Sequence, residues 1–220
     1  MNIELILDKI SSFIGEELPF GDRISLEKRN PFLILVATML SARTRDETTE
    51  IVAEKLFNKV SKPEDILKFS EKELSSMIKP VGFYRVKAKN LIKTSKLLIE
   101  KYGGKVPESF DELIKLPGVG RKTANLVQIL SFGIDTICVD THVHRISNRI
   151  GFVKTKTPEQ TESALKQKIP EKWWKRINTI LVVYGKKICL PIGPKCEECI
   201  VKDFCKHRKN RSKVKKQKSL

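Results

Sequence analysis

Four cysteines, one lysine and one aspartate carry the chemistry that this sequence offers. Cys189, Cys196, Cys199 and Cys205 have the spacing C-x6-C-x2-C-x5-C inside a loop containing Gly and Pro. Thiolates so close together imply one metal centre, either zinc or a four-iron, four-sulfur cluster, and spacing alone does not separate the two. Disulfides fit less well in a chain without an export signal. The second group lies in LPGVGRKTANLVQILSFGIDTICVDTHVHR, residues 116–145. There a Leu-Pro-Gly-Val-Gly turn precedes a helical run with Lys122 in its first turn, and Asp140 stands directly before the next helical run. A backbone able to approach a phosphate, an amine at a helix start and a nearby carboxylate suit chemistry on a nucleic-acid sugar.

Each of these residues has a reason for its place. Two short helices joined by Pro-Gly-Val-Gly leave the amides around Gly118, Val119 and Gly120 open. With Arg121 and Thr123 beside them, they can hold a backbone phosphate without reading sequence. A cation in the first turn of a helix opposes the macrodipole, and Arg121 adds a like charge; both disfavour the ammonium form of Lys122 and favour a nucleophilic amine able to form a Schiff base. Asp140, followed by Thr-His-Val-His-Arg, is a good helix N-cap, and a carboxylate held there can also stabilise developing positive charge or accept a proton. His142 follows as a candidate DNA contact. Cys138, between Ile137 and Val139, reads as a buried structural thiol.

The elements needed to position these groups are helices throughout. Ile3, Ile6, Leu7, Ile10, Phe13 and Ile14 form one stripe of an N-terminal amphipathic helix that needs a partner. Residues 32–40, after Pro31, are apolar nearly all round, as in a helix at the centre of a domain. Ser70 with Glu73, and Ser109 with Glu112, have the capping-box pattern. A long basic amphipathic helix runs from Tyr84 to Tyr102 and closes on Gly103-Gly104. Further helices follow Gly120, Asp140, Pro158 and Trp173. Only residues 136–139 look strand-like, so the expected fold class is all-α.

The composition points to a polyanionic partner. The chain has 220 residues, 40% of them hydrophobic, and a formal net charge of +17. The first 205 residues still carry 35 basic against 26 acidic side chains, and the segment after Cys205 has no acid at all. An excess in both parts favours nucleic acid. No apolar run reaches membrane-spanning length and no secretory leader is visible, so no membrane partner is expected and the expected location is cytoplasmic, at the nucleoid in a prokaryote.

With these residues gathered, the chain resembles the endonuclease III family of base-excision DNA glycosylases. LPGVGRKTANLV is similar to that family's helix–hairpin–helix, VDTHVHRISNR to its Asp-bearing segment and the four cysteines to its iron–sulfur loop; the similarity runs from about Asn30 to Cys205. The resemblance, not the spacing, selects a 4Fe-4S cluster over zinc. It implies a two-domain glycosylase fold: a six-helix domain over residues 25–134, an iron–sulfur cluster domain from residues 1–24 and 135–205, and a basic tail, 206–220, solvated or disordered. It also implies a monomer acting on double-stranded DNA that carries a damaged base or an abasic site. The base is flipped out, Lys122 attacks the sugar carbon and forms an imine, and β-elimination cuts the strand, with Asp140 assisting. Phe83, in the Pro80–Phe83 turn, is the candidate wedge. Arg43 stands where family members often have a glutamine that fills the space left by the flipped base, a departure that bears on opposite-base preference.

The leading expectation is therefore a bifunctional glycosylase and abasic-site lyase acting on oxidised pyrimidines. Three alternatives stay open on sequence: a monofunctional mismatch glycosylase, a non-catalytic helix–hairpin–helix DNA-binding module, and a zinc-stabilised helical protein with an RNA partner.

Overall fold

The computed structural model describes residues 2–210; the remainder of the basic tail, 211–220, lies outside them, whereas 206–210 are helical. In chain order the helices are α1 (Ile3–Ile14), α2 (Phe20–Lys28), α3 (Pro31–Ser41), α4 (Asp46–Phe57), α5 (Pro63–Ile66), α6 (Glu71–Met77), α7 (Tyr84–Tyr102), α8 (Phe110–Leu113), α9 (Arg121–Phe132), α10 (Thr141–Ile150), α11 (Pro158–Lys166) and α12 (Ile177–Lys187). A 3-10 turn, Glu171–Trp173, precedes α12. Among the described residues there is no strand; 136–139 are irregular. Two compact units divide the chain, one continuous from Pro19 to Ile134, the other drawn from residues up to Leu18 and from Asp135 onward.

The continuous unit is built round α3. Asn30 caps it by accepting from the amides of Phe32 and Leu33, and Pro31 occupies the first position, where a missing N–H costs nothing. Every residue from Phe32 to Leu40 is buried, and α9, α2, α4 and α7 pack round it. Burial of side chains this size stabilises by roughly 1.5–3 kcal/mol each. Helix α2 has no counterpart in the sequence reading, because only Phe20 and Ile24 are buried and no stripe marks it. It is fastened to α9 by the Ser25 hydroxyl, which donates to the Leu130 carbonyl at 2.6 Å. On α7, one stripe of Lys87, Ala88, Leu91, Thr94, Ser95 and Leu98 faces inward.

The other unit has its own core. The apolar stripe of α1 packs on α12, burying Ile6, Leu7 and Ile10 completely. Phe13 differs from the expectation: it is 41% exposed and meets the Tyr184 ring edge-on at 5.7 Å. Helix α10 packs on α12 and α11. Cys138 is fully buried, and Asn178 of α12 donates to its carbonyl at 3.2 Å, which anchors the irregular segment just before Asp140.

The two capping boxes fare differently. Ser70 and Glu73 exchange both bonds at α6. At α8 the expected box is absent, since Ser109 makes no side-chain cap. Glu112 turns instead to Lys115 Nζ at 2.6 Å, to Lys101 Nζ at 3.0 Å and to the Tyr102 hydroxyl, tying the end of α7 to α8. The Lys115 ammonium, then the Tyr102 hydroxyl and Lys101, hold the Glu112 carboxyl down from 4.5 to about 2. A carboxyl so depressed contributes stability above its unfolded value, and loses it as pH falls through the folded one. Glu112→Gln is therefore expected to speed amide exchange at Leu113 and Ile114 at pH 7. The gap between variant and wild type should close as pH is lowered from 5 towards 2, as read by hydrogen exchange.

Candidate active site and metal centre

The turn between α8 and α9 is a close fit against α7. Gly118 has φ +83°, and a Cβ there would lie 2.7 Å from Asn90 Nδ2. One turn further along α7, the Thr94 hydroxyl donates to the Pro117 carbonyl at 2.9 Å. Asn90 and Thr94 thus brace the hairpin from the same face of α7, a pair that sequence reasoning missed because neither belongs to a motif. Gly120 is a different glycine. Its backbone is extended (φ −96°, ψ 177°), and a Cβ would meet nothing within 4 Å. It is the N-cap of α9 and provides no side-chain cap, the form of helix start that suits an anion.

Lys122 is exposed at the second position of α9. Arg121 lays its guanidinium over the Phe110 ring at 4.9 Å. Two residues expected beside the phosphate, Val119 and Thr123, lie low in the hairpin. Val119 is buried in the core, and its amide already donates to the Leu116 carbonyl to close the turn. Thr123 is likewise buried. The Val119 side chain belongs to the hydrophobic core of this unit and holds the hairpin down.

Arg43 and Phe83 come together in the same unit. Both have left-handed backbones, φ 54° and 57°, and the Arg43 guanidinium lies 5.8 Å from the Phe83 ring centre. Phe83 is 62% exposed, so it is no core aromatic. Between their loops sits Lys87, a residue the sequence reading passed over. It is 8% exposed, and its Nζ donates to the Leu40 carbonyl at 2.7 Å, the Ala42 carbonyl at 2.6 Å and Thr44 Oγ1 at 3.1 Å. Burial pushes this ammonium down to about 8, while the three acceptors and the C-terminal end of α3 favour keeping the proton. A lysine on the buried stripe of an amphipathic helix was the available signal.

In the other unit, Asp140 caps α10. Its Oδ1 accepts from the amides of His142 and Val143, both at 2.9 Å, and its Oδ2 faces His142 Nδ1 at 3.2 Å. The carboxylate is only 11% exposed and His142 23%. The His142 ring thus braces the aspartate; it is not a freely projecting side chain.

The four cysteines line one partly open pocket with Ile146, Tyr184 and Val201. Among the described residues no three Cys, His, Asp or Glu converge closely enough for a single ion. A lone zinc needs its sulfurs about 2.3 Å from one point, whereas a cube of iron and sulfide offers each thiolate its own corner. Four thiols lining one pocket are the donor set that an iron–sulfur cluster takes. The walls are built for sulfur: the Tyr184 hydroxyl lies 3.1 Å from Cys199 Sγ, and Arg149 Nη1 lies 3.6 Å from Cys189 Sγ. Burial pushes the Cys205 thiol up, a cost that a cationic iron–sulfur centre would offset. Arg149 also donates to the carbonyls of Leu190 and Pro191, and Arg145 to that of Cys189, so α10 holds the loop's backbone.

Comparison with known proteins adds independent findings. Residues 36–171 match the model of the HhH-GPD superfamily base excision DNA repair proteins. Endonuclease III of Thermotoga maritima is 50% identical over 85% of this chain and 88% of its own length. That of Bacillus subtilis is 42% identical over 96% of this chain and 94% of its own. Among solved structures, a trapped endonuclease III–DNA covalent intermediate superposes with a TM-score of 0.87 at 37% identity, covering 96% of this chain and 97% of that one.

The two hairpin glycines separate folding from anion binding. Gly118→Ala is expected to destabilise by about 1–3 kcal/mol, through positive φ and the clash with Asn90. Gly120→Ser should leave the melting temperature unchanged or slightly raised, since serine is a favoured cap. It should nevertheless weaken duplex binding about tenfold, because its hydroxyl oxygen competes with phosphate for the same amides. Thermal melts beside salt-controlled titrations of duplex DNA read both effects.

Proposed function

The chain belongs to the endonuclease III family within the HhH-GPD superfamily, and from that membership we propose that the Lys122 amine carries its chemistry. The protein is a bifunctional DNA glycosylase and abasic-site lyase of base-excision repair, with the all-helical fold of that superfamily. The observation that carries our assignment is the start of α9: Gly120 supplies no side-chain cap, as suits a phosphate clamp, and Lys122 stands exposed one residue past Arg121.

The clamp seats the strand by its backbone, and the Lys122 amine, as the free base, attacks the sugar carbon bearing the damaged base. The N-glycosidic bond breaks, the base leaves with the electron pair, and the nitrogen loses its protons as the sugar opens to an imine. Loss of a proton from the neighbouring carbon then expels the 3′ phosphate and cuts the strand. Asp140, held by two amides and the His142 ring, offers a carboxylate able to take up a proton and to steady positive charge on the sugar. The substrate class is oxidised pyrimidine in double-stranded DNA, handled by a monomer wherever the chromosome lies. No described helix is long and apolar enough to cross a membrane.

Cys189, Cys196, Cys199 and Cys205 would hold a 4Fe-4S cluster, which would supply structural closure of the loop between residues 189 and 205. The exposed lysines near those ligands, Lys186 and Lys195, would then present charge to DNA from a fixed backbone. Lys187 is engaged with Glu17.

Borohydride is expected to trap wild-type protein on a duplex carrying an oxidised pyrimidine. Lys122→Gln should abolish trapping and strand scission while leaving the dissociation constant within about threefold, as one phosphate-independent side chain is lost. Asp140→Asn should slow base release about a hundredfold with little change in melting temperature, because the amide oxygen still caps α10. Undiminished scission by Lys122→Gln would refute the assignment. Purified protein should contain iron and acid-labile sulfide in equal amounts, and Cys199→Ala should lose both.

A further inference from the structure

We propose that Lys87 is a positioning residue for duplex opening: it locks together the two loops that present Arg43 and Phe83, so that this pair meets DNA already formed. The proposal rests on the reading that this unit engages a duplex. Its ground is a chain of contacts. The Lys87 ammonium donates to the carbonyls of Leu40 and Ala42 and to Thr44 Oγ1, three donors matched to three acceptors. Thr44 Oγ1 in turn accepts from the Gly82 amide at 3.2 Å, which joins the loop after α3 to the loop before α7. The two backbones touch so closely that a Cβ on Gly82 would lie 2.9 Å from the Arg43 carbonyl oxygen.

What this lock holds is costly and faces outward. Among the described residues, Arg43 and Phe83 are two of the three non-glycine residues with positive φ, and both are exposed. Left-handed backbones at such residues persist only where the surroundings over-determine them. A buried charge is an expensive way to fasten a surface loop, and an apolar residue would serve core packing at lower cost. The Lys87 ammonium supplies the donors that the carbonyls of Leu40, fully buried, and Ala42 take up at the C-terminal end of α3. The result is a rigid guanidinium-on-aromatic pair, a flat cationic surface suited to stacking against bases in an opened helix.

The experiment compares two substrates in single-turnover reactions, normalised to borohydride-trappable protein. One is a duplex with an oxidised pyrimidine, where a stack must be opened; the other is a single strand with an abasic site, where none must. Lys87→Met is expected to release the base from the duplex at least about tenfold more slowly, the kinetic weight of one lost charge-assisted bond. Its cleavage of the abasic single strand should stay within about twofold of wild type, since the lyase groups are untouched. Thr44→Val, at a partly exposed site, should show the same asymmetry more weakly, and it decides the matter if Lys87→Met does not fold. Equal rates on both substrates, or equal losses on both, would overturn the positioning role. A wild-type protein inert on both would overturn the glycosylase assignment instead.

Discussion

The spacing of polar groups along the buried stripe of α7 is the constraint on which the continuous unit depends. Lys87 holds the end of α3, and Thr94, seven residues on, holds the Pro117 carbonyl of the hairpin, with Asn90 between them filling the space beside Gly118. Seven helical residues span about 10.5 Å. That distance is not adjustable, because Ala88, Leu91 and Leu98 on the same stripe are locked in the core. The loops at the two places are therefore indexed to one rigid rod. Loops carry function well when a scaffold fixes them, and here the scaffold is a single helix face.

Helix ends supply most of the chemistry in both units, each used differently. At α9 the N-terminus is left without a side-chain cap, so its donors suit an outside anion. At α10 the same kind of end is capped by Asp140, which places a carboxylate with known orientation. At α3 it is the C-terminus, where a buried ammonium takes up the last carbonyls. Only the middle case is a standard cap. The other two depart from it in opposite senses, one by omission and one by an unusually expensive partner, and departures of this kind concentrate where function is served.

Helix α10 has a second task. From Asp140 at its first turn it runs to Arg145 and Arg149, whose guanidiniums hold the carbonyls of Cys189, Leu190 and Pro191. A loop rich in glycine and proline has little secondary structure of its own, and these bonds satisfy its backbone while the thiols face one pocket. Orientation of the cysteine loop is thus set by residues outside it.

The local geometry of the candidate site was legible in the sequence because its signals are local: cysteine spacing, a Gly-x-Gly turn entering a helix, and an Asp before a helical run each act within a few residues. The all-helical class and the buried character of α3 were legible for the same reason, since periodicity and apolar runs are short-range. The tertiary structure alone decided the rest. It turned Glu112 from a cap into a tie to α7, buried the side chains of Val119 and Thr123, and placed Arg43 over Phe83 across forty positions of sequence. It also made Lys87, one lysine among many, the only tie between α3 and the loop carrying Gly82 that passes through a buried ammonium among the described residues. The physical reason is that a side chain with several possible partners chooses by proximity and desolvation, and both are properties of the folded chain rather than of the neighbouring residues in sequence.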